Sequence, residues 1–159
     1  MGLIIPPLVI VQDTREQRGW GPHFICEWEI ATVAVGDYTV RGAEHLIAIE
    51  RKSLPDLLGS LTHDRDRFER ELAKARAYQR FWVVIEATAS DVMNGNYGRY
   101  GANINPYAIW ESIATFSARY CPFIFADDPE TAAALCESWL GKFQRELFLN
   151  CHRVTHPSV

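Results

Sequence analysis

Short apolar runs alternate with amphipathic segments along the chain, and this alternation predicts the order of strands and helices. The segments built on these apolar runs are three to seven residues long and rich in β-branched and aromatic residues, which is typical of strands buried in a sheet. Gly36-Asp37 is a predicted turn, and residues 38–40 followed by 46–52 favour a hairpin. The predicted strands are residues 8–11, 24–28, 30–35, 38–40, 46–52, 81–86 and 123–125.

Apolar residues spaced three or four positions apart within polar segments predict the helices. Ser53, followed by Pro55 and Asp56, is a typical helix start. Further helices are predicted for residues 64–79, 106–120 and 128–150, with a long turn-rich loop over 94–106. This order predicts an α/β fold, a mixed central sheet flanked by helices. We expect one domain over residues 1–150 and a flexible tail over 151–159.

The composition agrees with a single globular domain. The 159 residues are 48% hydrophobic and 23% charged, and no run approaches the ~20 apolar residues of a membrane span. The first residues lack the basic start and cleavage site of a secretory signal. We therefore expect no membrane association and an intracellular protein, cytoplasmic if it is bacterial or phage-encoded. The four scattered cysteines are predicted to be core residues.

Charge is distributed unevenly along the chain. Residues 51–80 carry eight Lys or Arg against five Asp or Glu, whereas the segments before and after them are net acidic. A basic middle behind an acidic beginning is typical of a protein that holds carboxylates near a metal ion and offers cations to phosphates. A solvated helix face would give the same distribution.

The segment from Gly36 to Lys52 contains the best candidates for catalysis. Alternate residues of a strand point to the same face, so Glu50 and Lys52 should project together and Arg51 to the other side. If Asp37 lies at the neighbouring end of the hairpin, two carboxylates and an ammonium group converge. Such a group can bind Mg²⁺ and support phosphodiester hydrolysis. A salt-bridged hairpin would explain the same residues.

Several further segments make the interpretation more specific. They lie in one order along residues 9–86, and they include Asp13-Thr-Arg-Glu16 after the first strand, Gly36-Asp37-Tyr38 and Glu50-Arg-Lys-Ser53. Asp56-Leu57-Leu58, Arg67-Phe68 and Val83-Val-Ile-Glu86 continue the series. In this combination the sequence resembles the nuclease domain of the XPF/Hef family of structure-specific DNA endonucleases, which has a restriction-endonuclease-like fold.

The resemblance implies roles for the matching residues. Asp37 and Glu50 would be metal ligands, with Asp13 as a third acidic residue at the mouth of the site, and Lys52 would be the catalytic lysine. Arg15, Glu16 and Arg51 would matter for activity. Arg15 would either contact the scissile phosphate or, like Arg51, pair with an acid to hold the site in shape. The expected DNA-binding residues are Arg15, Arg65, Arg67, Arg70 and Lys74.

The predicted function is that of a Mg²⁺-dependent DNA endonuclease, with Mn²⁺ as a substitute metal, acting at branched, flap or junction DNA. Two alternatives stay open, a noncatalytic DNA-binding or scaffold subunit and a nuclease of broader specificity for duplex DNA. The resemblance also implies that two copies could pair through the apolar face of the last helix, around Trp139 and Phe143. Those residues could instead simply cover the sheet.

Overall fold

A computed structural model describes residues 4–95, 97 and 104–155. Six strands form one sheet in the order β2-β1-β3-β4-β5-β6. β3 is antiparallel to both of its neighbours, and the remaining pairs are parallel. The predicted α/β fold with a mixed central sheet is therefore confirmed. The strands are β1 (Val9–Asp13), β2 (Glu27–Ala31), β3 (Tyr38–Val40), β4 (Ile47–Ser53), β5 (Arg80–Glu86) and β6 (Phe123–Phe125).

The helices follow the predicted order with two differences. A short helix that was not predicted is capped reciprocally by Thr88 and Asp91, and the last helix continues past its predicted end near residue 150 to Thr155. Residues 151–155 of the expected tail are thus helical, while 156–159 lie outside the described residues, as does most of the predicted 94–106 loop. The helices are α1 (Leu54–Leu61), α2 (Arg65–Ala75), α3 (Ala89–Met93), α4 (Pro106–Arg119) and α5 (Pro129–Thr155).

Two apolar cores cover the two faces of the sheet. On one face, side chains of α1, α2 and α4 pack on alternate residues of β5, including Val83 and Ile85. On the other face, α5 and the segment around Trp20 pack on residues of β4 and β5 that point the opposite way, including Ile49 and Val84. This burial on both faces explains why β5 is apolar without a break from Phe81 to Ile85. None of the described helices is long and apolar enough to cross a membrane.

The segment between β2 and β3 departs from the prediction. Two strands were expected over residues 24–35, but the structure has the single strand β2, followed by an irregular loop. Within that loop the Val33 N–H donates to the carboxylate of Asp13 at 2.7 Å, not to a neighbouring strand. Gly36 then adopts a φ of 82°, in the left-handed region that favours glycine, and the chain enters β3.

Candidate active site

The alternation predicted for β4 is confirmed. Glu50 and Lys52 line a cavity on the face of the sheet that carries α2, whereas Arg51 forms its ion pairs on the opposite face with Glu16 and Glu86. The strand ends at Ser53, whose Oγ accepts a hydrogen bond from the Asp56 N–H at 3.3 Å and caps α1.

The cavity has a volume of about 490 Å³ and lies between the end of β4, the loop before β3 and helix α2. The Lys52 Nζ lies 2.7 Å from Glu50 Oε1 and 4.9 Å from the centre of the Phe68 ring. Burial would lower the pKa of Lys52, but the neighbouring carboxylates, Glu50 above all, raise it above its ordinary value. Lys52 is therefore a fixed cation. The lining residues are Arg15, Ala34, Val35, Gly36, Asp37, Glu50, Lys52, Arg67, Phe68, Glu71, Leu72, Lys74 and Phe81.

Asp37 faces the same cavity and is fixed by its neighbours. Its N–H donates to the Ile49 carbonyl at 2.8 Å, and its Oδ2 accepts from the Arg51 N–H at 2.8 Å. Burial, followed by repulsion from Glu50, raises the pKa of Asp37 to about 8, even though the Arg51 N–H and the charge of Lys52 oppose the shift. The carboxyl is thus placed where a negative charge is unfavourable without a further cation.

The chemistry of these two carboxylates fits a hard divalent cation. Mg²⁺ is commonly held by one or two carboxylates while it keeps several waters and binds substrate phosphates. Asp37 and Glu50 supply that set, and a nearby cation would relieve the repulsion that raises the Asp37 pKa. Within residues 4–95, 97 and 104–155, no group of three or more His, Cys, Asp and Glu is placed to hold a metal ion.

Asp13, the predicted third ligand, has a different environment. Its side chain is fully buried, and Oδ1 accepts hydrogen bonds from the N–H and the Nε of Arg15, at 2.9 and 2.5 Å. Oδ2 accepts from the Val33 N–H at 2.7 Å. Burial alone would raise the pKa of Asp13, but these bonds lower it below its ordinary value. This geometry gives the ligand role no support, and it makes Asp13 the residue that fixes the loop after β2.

Glu16 and Arg51 form part of a network on the face opposite the cavity. Arg51 binds Glu86 through two hydrogen bonds of 2.7 Å and Glu16 at 3.3 Å. Trp20 Nε1 donates to the same Glu86 carboxylate at 2.6 Å. Arg51 therefore pairs with an acid, as the resemblance implies, and Glu86 binds it at a shorter distance than Glu16 does.

The predicted DNA-binding residues divide into two groups. Arg15, Arg67 and Lys74 line the cavity, and Arg70 is exposed on α2 outside that lining. Arg65 instead packs over the Phe116 ring and donates to Ser112 Oγ at 2.8 Å, which joins α2 to α4. Its predicted DNA contact finds no support in this position.

Sequence reasoning overlooked two features of the site. Glu86 and Phe68 both belong to the family segments but have no predicted role, whereas in the structure Glu86 binds Arg51 and the Phe68 ring contacts Lys52. The strand alternation that places Arg51 opposite the cavity also places Glu86 there, since Ser53 pairs with Glu86 in the β4–β5 register. The alternation of side chains along the two strands was therefore a signal that could have indicated the face on which Glu86 lies. The rings of Trp20 and Tyr97 are both buried, so neither is available to stack on a base.

The mixed sheet brings Glu50 and Lys52 of β4 into one cavity with Asp37, which directly precedes β3, and this agrees with the resemblance to the XPF/Hef nuclease domain. The family model for the ERCC4 domain matches residues 12–138, so this chain belongs to the ERCC4 domain family. Among solved structures it is similar to XPF from Aeropyrum pernix, with a TM-score of 0.64 and 18% identity over 85% of this chain. The similarity covers 61% of the Aeropyrum chain. No curated protein sequence matches significantly. The predicted resemblance to the XPF/Hef nuclease domain is confirmed.

Proposed function

We propose that this domain is a metal-dependent endonuclease that hydrolyses phosphodiester bonds in branched, flap or junction DNA. The observation that carries the proposal is the convergence of Asp37, Glu50 and Lys52 in one cavity beside the cationic residues of α2. Membership of the ERCC4 domain family supports a nuclease that acts on DNA.

Each residue of the cavity has a role in this proposal. Asp37 and Glu50 would hold Mg²⁺, or Mn²⁺ in its place. The metal would supply an acidified water and neutralise charge on the scissile phosphate. Lys52, held as a cation by Glu50, would stabilise the negative charge that develops on the phosphate during the reaction. Arg15 pairs with Asp13 and also lines the cavity, so it could both hold the site in shape and contact the scissile phosphate.

The rim of the cavity suits a DNA backbone. Arg67 and Lys74 lie on the same side of α2, seven residues apart, and both line the cavity together with Arg15. Such cations position nucleic acid without reading its sequence, so selectivity for a DNA shape must come from how the backbone fits the rim.

Cleavage of end-labelled DNA tests the proposal. The purified chain is incubated with flap, fork, nicked, duplex and single-stranded substrates in Mg²⁺, Mn²⁺ or EDTA, beside Glu50→Gln and Lys52→Met. Glu69→Gln is a matched control, because Glu69 is also a partly buried acid but pairs with Arg119 and Tyr120 away from the cavity.

We expect metal-dependent cutting of a branched substrate by the wild type and the control but not by the two cavity variants. Equal cutting of all duplex DNA would indicate a nuclease of broader specificity. Binding of DNA without any cutting would favour the noncatalytic scaffold, and cutting in EDTA would refute the mechanism.

The pairing of two copies through α5 is a second proposal. Leu140 is fully buried against the sheet, so part of the apolar face is occupied within the chain. A groove of about 320 Å³ remains between α5 and β5, and its walls include Trp82, Trp139 and Phe143. Light scattering should give the mass of a dimer, and Phe143→Asp should convert it to a monomer. A monomeric wild type would contradict this proposal.

A further inference from the structure

Arg51 makes contacts on both faces of the sheet. Its side chain lies opposite the cavity and is only 10% exposed, yet its main-chain N–H donates to Oδ2 of Asp37 at 2.8 Å. The position of this donor depends on where the strand holds the Arg51 backbone. The contacts that fix the Arg51 side chain therefore also affect the position of the Asp37 carboxylate, which we propose as a metal ligand.

Glu86 is the group that fixes that side chain most completely. Its two oxygens each lie 2.7 Å from a guanidinium nitrogen, Oε1 from Nε and Oε2 from Nη2, and its side chain is 8% exposed. A bidentate pair of this kind holds the guanidinium in one orientation, and low exposure strengthens each hydrogen bond. Glu16 adds a weaker contact at 3.3 Å.

A second route leads from Glu86 to Asp37. Trp20 Nε1 donates to Glu86 Oε1 at 2.6 Å, and the Trp20 ring stacks on Tyr38 with 4.5 Å between the ring centres. The Tyr38 hydroxyl accepts from the Trp20 N–H at 2.8 Å. Tyr38 directly follows Asp37 in the chain, so the carboxylate of Glu86 is connected both to β4 and to the start of β3.

We propose that Glu86 is a positioning residue, which holds Arg51 so that its main-chain N–H stays on Asp37 and keeps that carboxylate aimed into the cavity. The inference deepens the proposed function, on which its importance for metal binding rests. Outer residues that orient a metal ligand typically change the affinity for the metal about 10-fold to 100-fold when they are replaced.

Two measurements on the full chain test this role without using activity. The first is hydrogen exchange of the Arg51 amide in the metal-free protein. The Val83 amide is an internal reference, because it donates to the carbonyl of Pro122, which directly precedes β6. The second is the affinity for Mn²⁺, followed by its electron paramagnetic resonance signal. Glu86→Gln and Arg51→Lys are the test variants, and Glu69→Gln is the control.

Glu86→Gln retains an acceptor for Trp20 but loses the charge that holds Arg51 in two bonds. We expect the Arg51 amide to exchange about tenfold faster while Val83 is unchanged, with about tenfold weaker Mn²⁺ binding. Arg51→Lys keeps the charge but lacks the fork of donors, so it should show the same changes to a smaller extent. Glu69→Gln should match the wild type.

Unchanged Arg51 exchange and Mn²⁺ affinity in Glu86→Gln would overturn the inference. So would a uniform acceleration at Arg51 and Val83, since that would show a general contribution to stability. If Mn²⁺ binding were insensitive to Glu50→Gln in an otherwise wild-type chain, the proposed metal site would fail. The Arg51 exchange rate would then still decide whether Glu86 holds the donor.

Discussion

Asp13 and Asp37 are two carboxylates in neighbouring parts of the sheet with opposite surroundings. The backbone joins them, since the Asp13 N–H donates to the Asp37 carbonyl at 2.8 Å. Asp13 accepts three hydrogen bonds from Arg15 and Val33 and has a lowered pKa. Asp37 has a raised pKa, because of its burial and the charge of Glu50, and accepts one main-chain N–H from Arg51.

The difference separates a carboxylate that is bonded within the fold from one whose surroundings suit the metal ligand that we propose. A fully hydrogen-bonded acid lowers its own free energy and stabilises the chain, whereas an acid held near a like charge destabilises the chain until a cation arrives. Both acids belong to family segments of the sequence. Their surroundings, and not their residue type, indicate which one is suited to bind metal.

The largest effect should be on catalysis. Asp37→Asn removes one of the two proposed metal ligands, so we expect the rate of DNA cleavage to fall about 10³-fold, which corresponds to about 4 kcal/mol of transition-state stabilisation. Asp13→Asn, assayed at a temperature where it is folded, should retain most of the wild-type rate. Single-turnover cleavage measures both. A comparable loss in the two variants would remove the distinction between them.

Divalent cations should stabilise the wild type selectively. Mg²⁺ at 100 times its dissociation constant is expected to raise the free energy of unfolding by about 2.7 kcal/mol, because it binds the folded chain alone. The same addition should leave Asp37→Asn almost unchanged and should still stabilise Asp13→Asn. Thermal denaturation with Mg²⁺ and with EDTA provides the comparison. Stabilisation of Asp37→Asn by the same amount would place the metal elsewhere.

The stability of the fold should depend on Asp13. Asp13→Asn leaves either the Val33 N–H or the Arg15 donors without their acceptor, and a loss of about 2 kcal/mol at pH 7 is expected. The folded-state pKa of Asp13 is lowered, so its contribution is present above the ordinary value near 4 and is lost as the pH falls through the folded-state value. Urea denaturation should therefore show the deficit of the variant shrinking below about pH 4.

Asp37→Asn should have the opposite effect on stability in EDTA. The pKa of Asp37 is raised to about 8 in the folded chain, so folding takes up a proton between pH 4 and 8 and the wild type loses stability as the pH rises. The variant lacks this loss, so it should be more stable than the wild type at pH 8, by more than at pH 5. Urea denaturation at pH 5 and pH 8 checks that the difference widens. A variant less stable than the wild type at pH 8 would show that Asp37 is a structural acid like Asp13.

The smallest effect concerns the basic residues, which also divide into one that lines the cavity and one that is bonded within the fold. Arg67→Gln, at the cavity, should weaken DNA binding severalfold and reduce the slope of log affinity against log salt by about one. Arg65→Gln should leave that slope unchanged and reduce stability, because Arg65 joins α2 to α4. Binding titrations at several salt concentrations provide the test. A reduced slope in Arg65→Gln would return it to the DNA-binding set.

The sequence predicts the parts of the site that depend on local periodicity. Alternation in β4 separates Glu50 and Lys52 from Arg51, and the capping residues place the start of α1 after Ser53. The short α3 was overlooked, although Thr88 and Asp91 have the spacing of a capping box.

The remaining features depend on contacts between distant parts of the chain. Asp13 and Val33 are 20 residues apart, and Trp20 and Glu86 are 66 apart, so no local pattern could reveal that these pairs are bonded. The same limitation applies to Arg65. It lies on α2 only two residues before Arg67, but its partner Ser112 is on α4. Residue type indicated the chemistry of the acids and cations, while packing decided which of them reach the cavity.

Because β4 contributes side chains to both faces of the sheet, its register against the neighbouring strands determines which of its side chains reach the cavity. A slip of one residue against β3 and β5 would turn Arg51 into the cavity and carry Glu50 and Lys52 beneath Trp20. All the residues would still be present, and the composition of the strand would be unaltered. A single insertion between Ile47 and Glu50 would therefore exchange the two faces at once, whereas a substitution changes one side chain on one face.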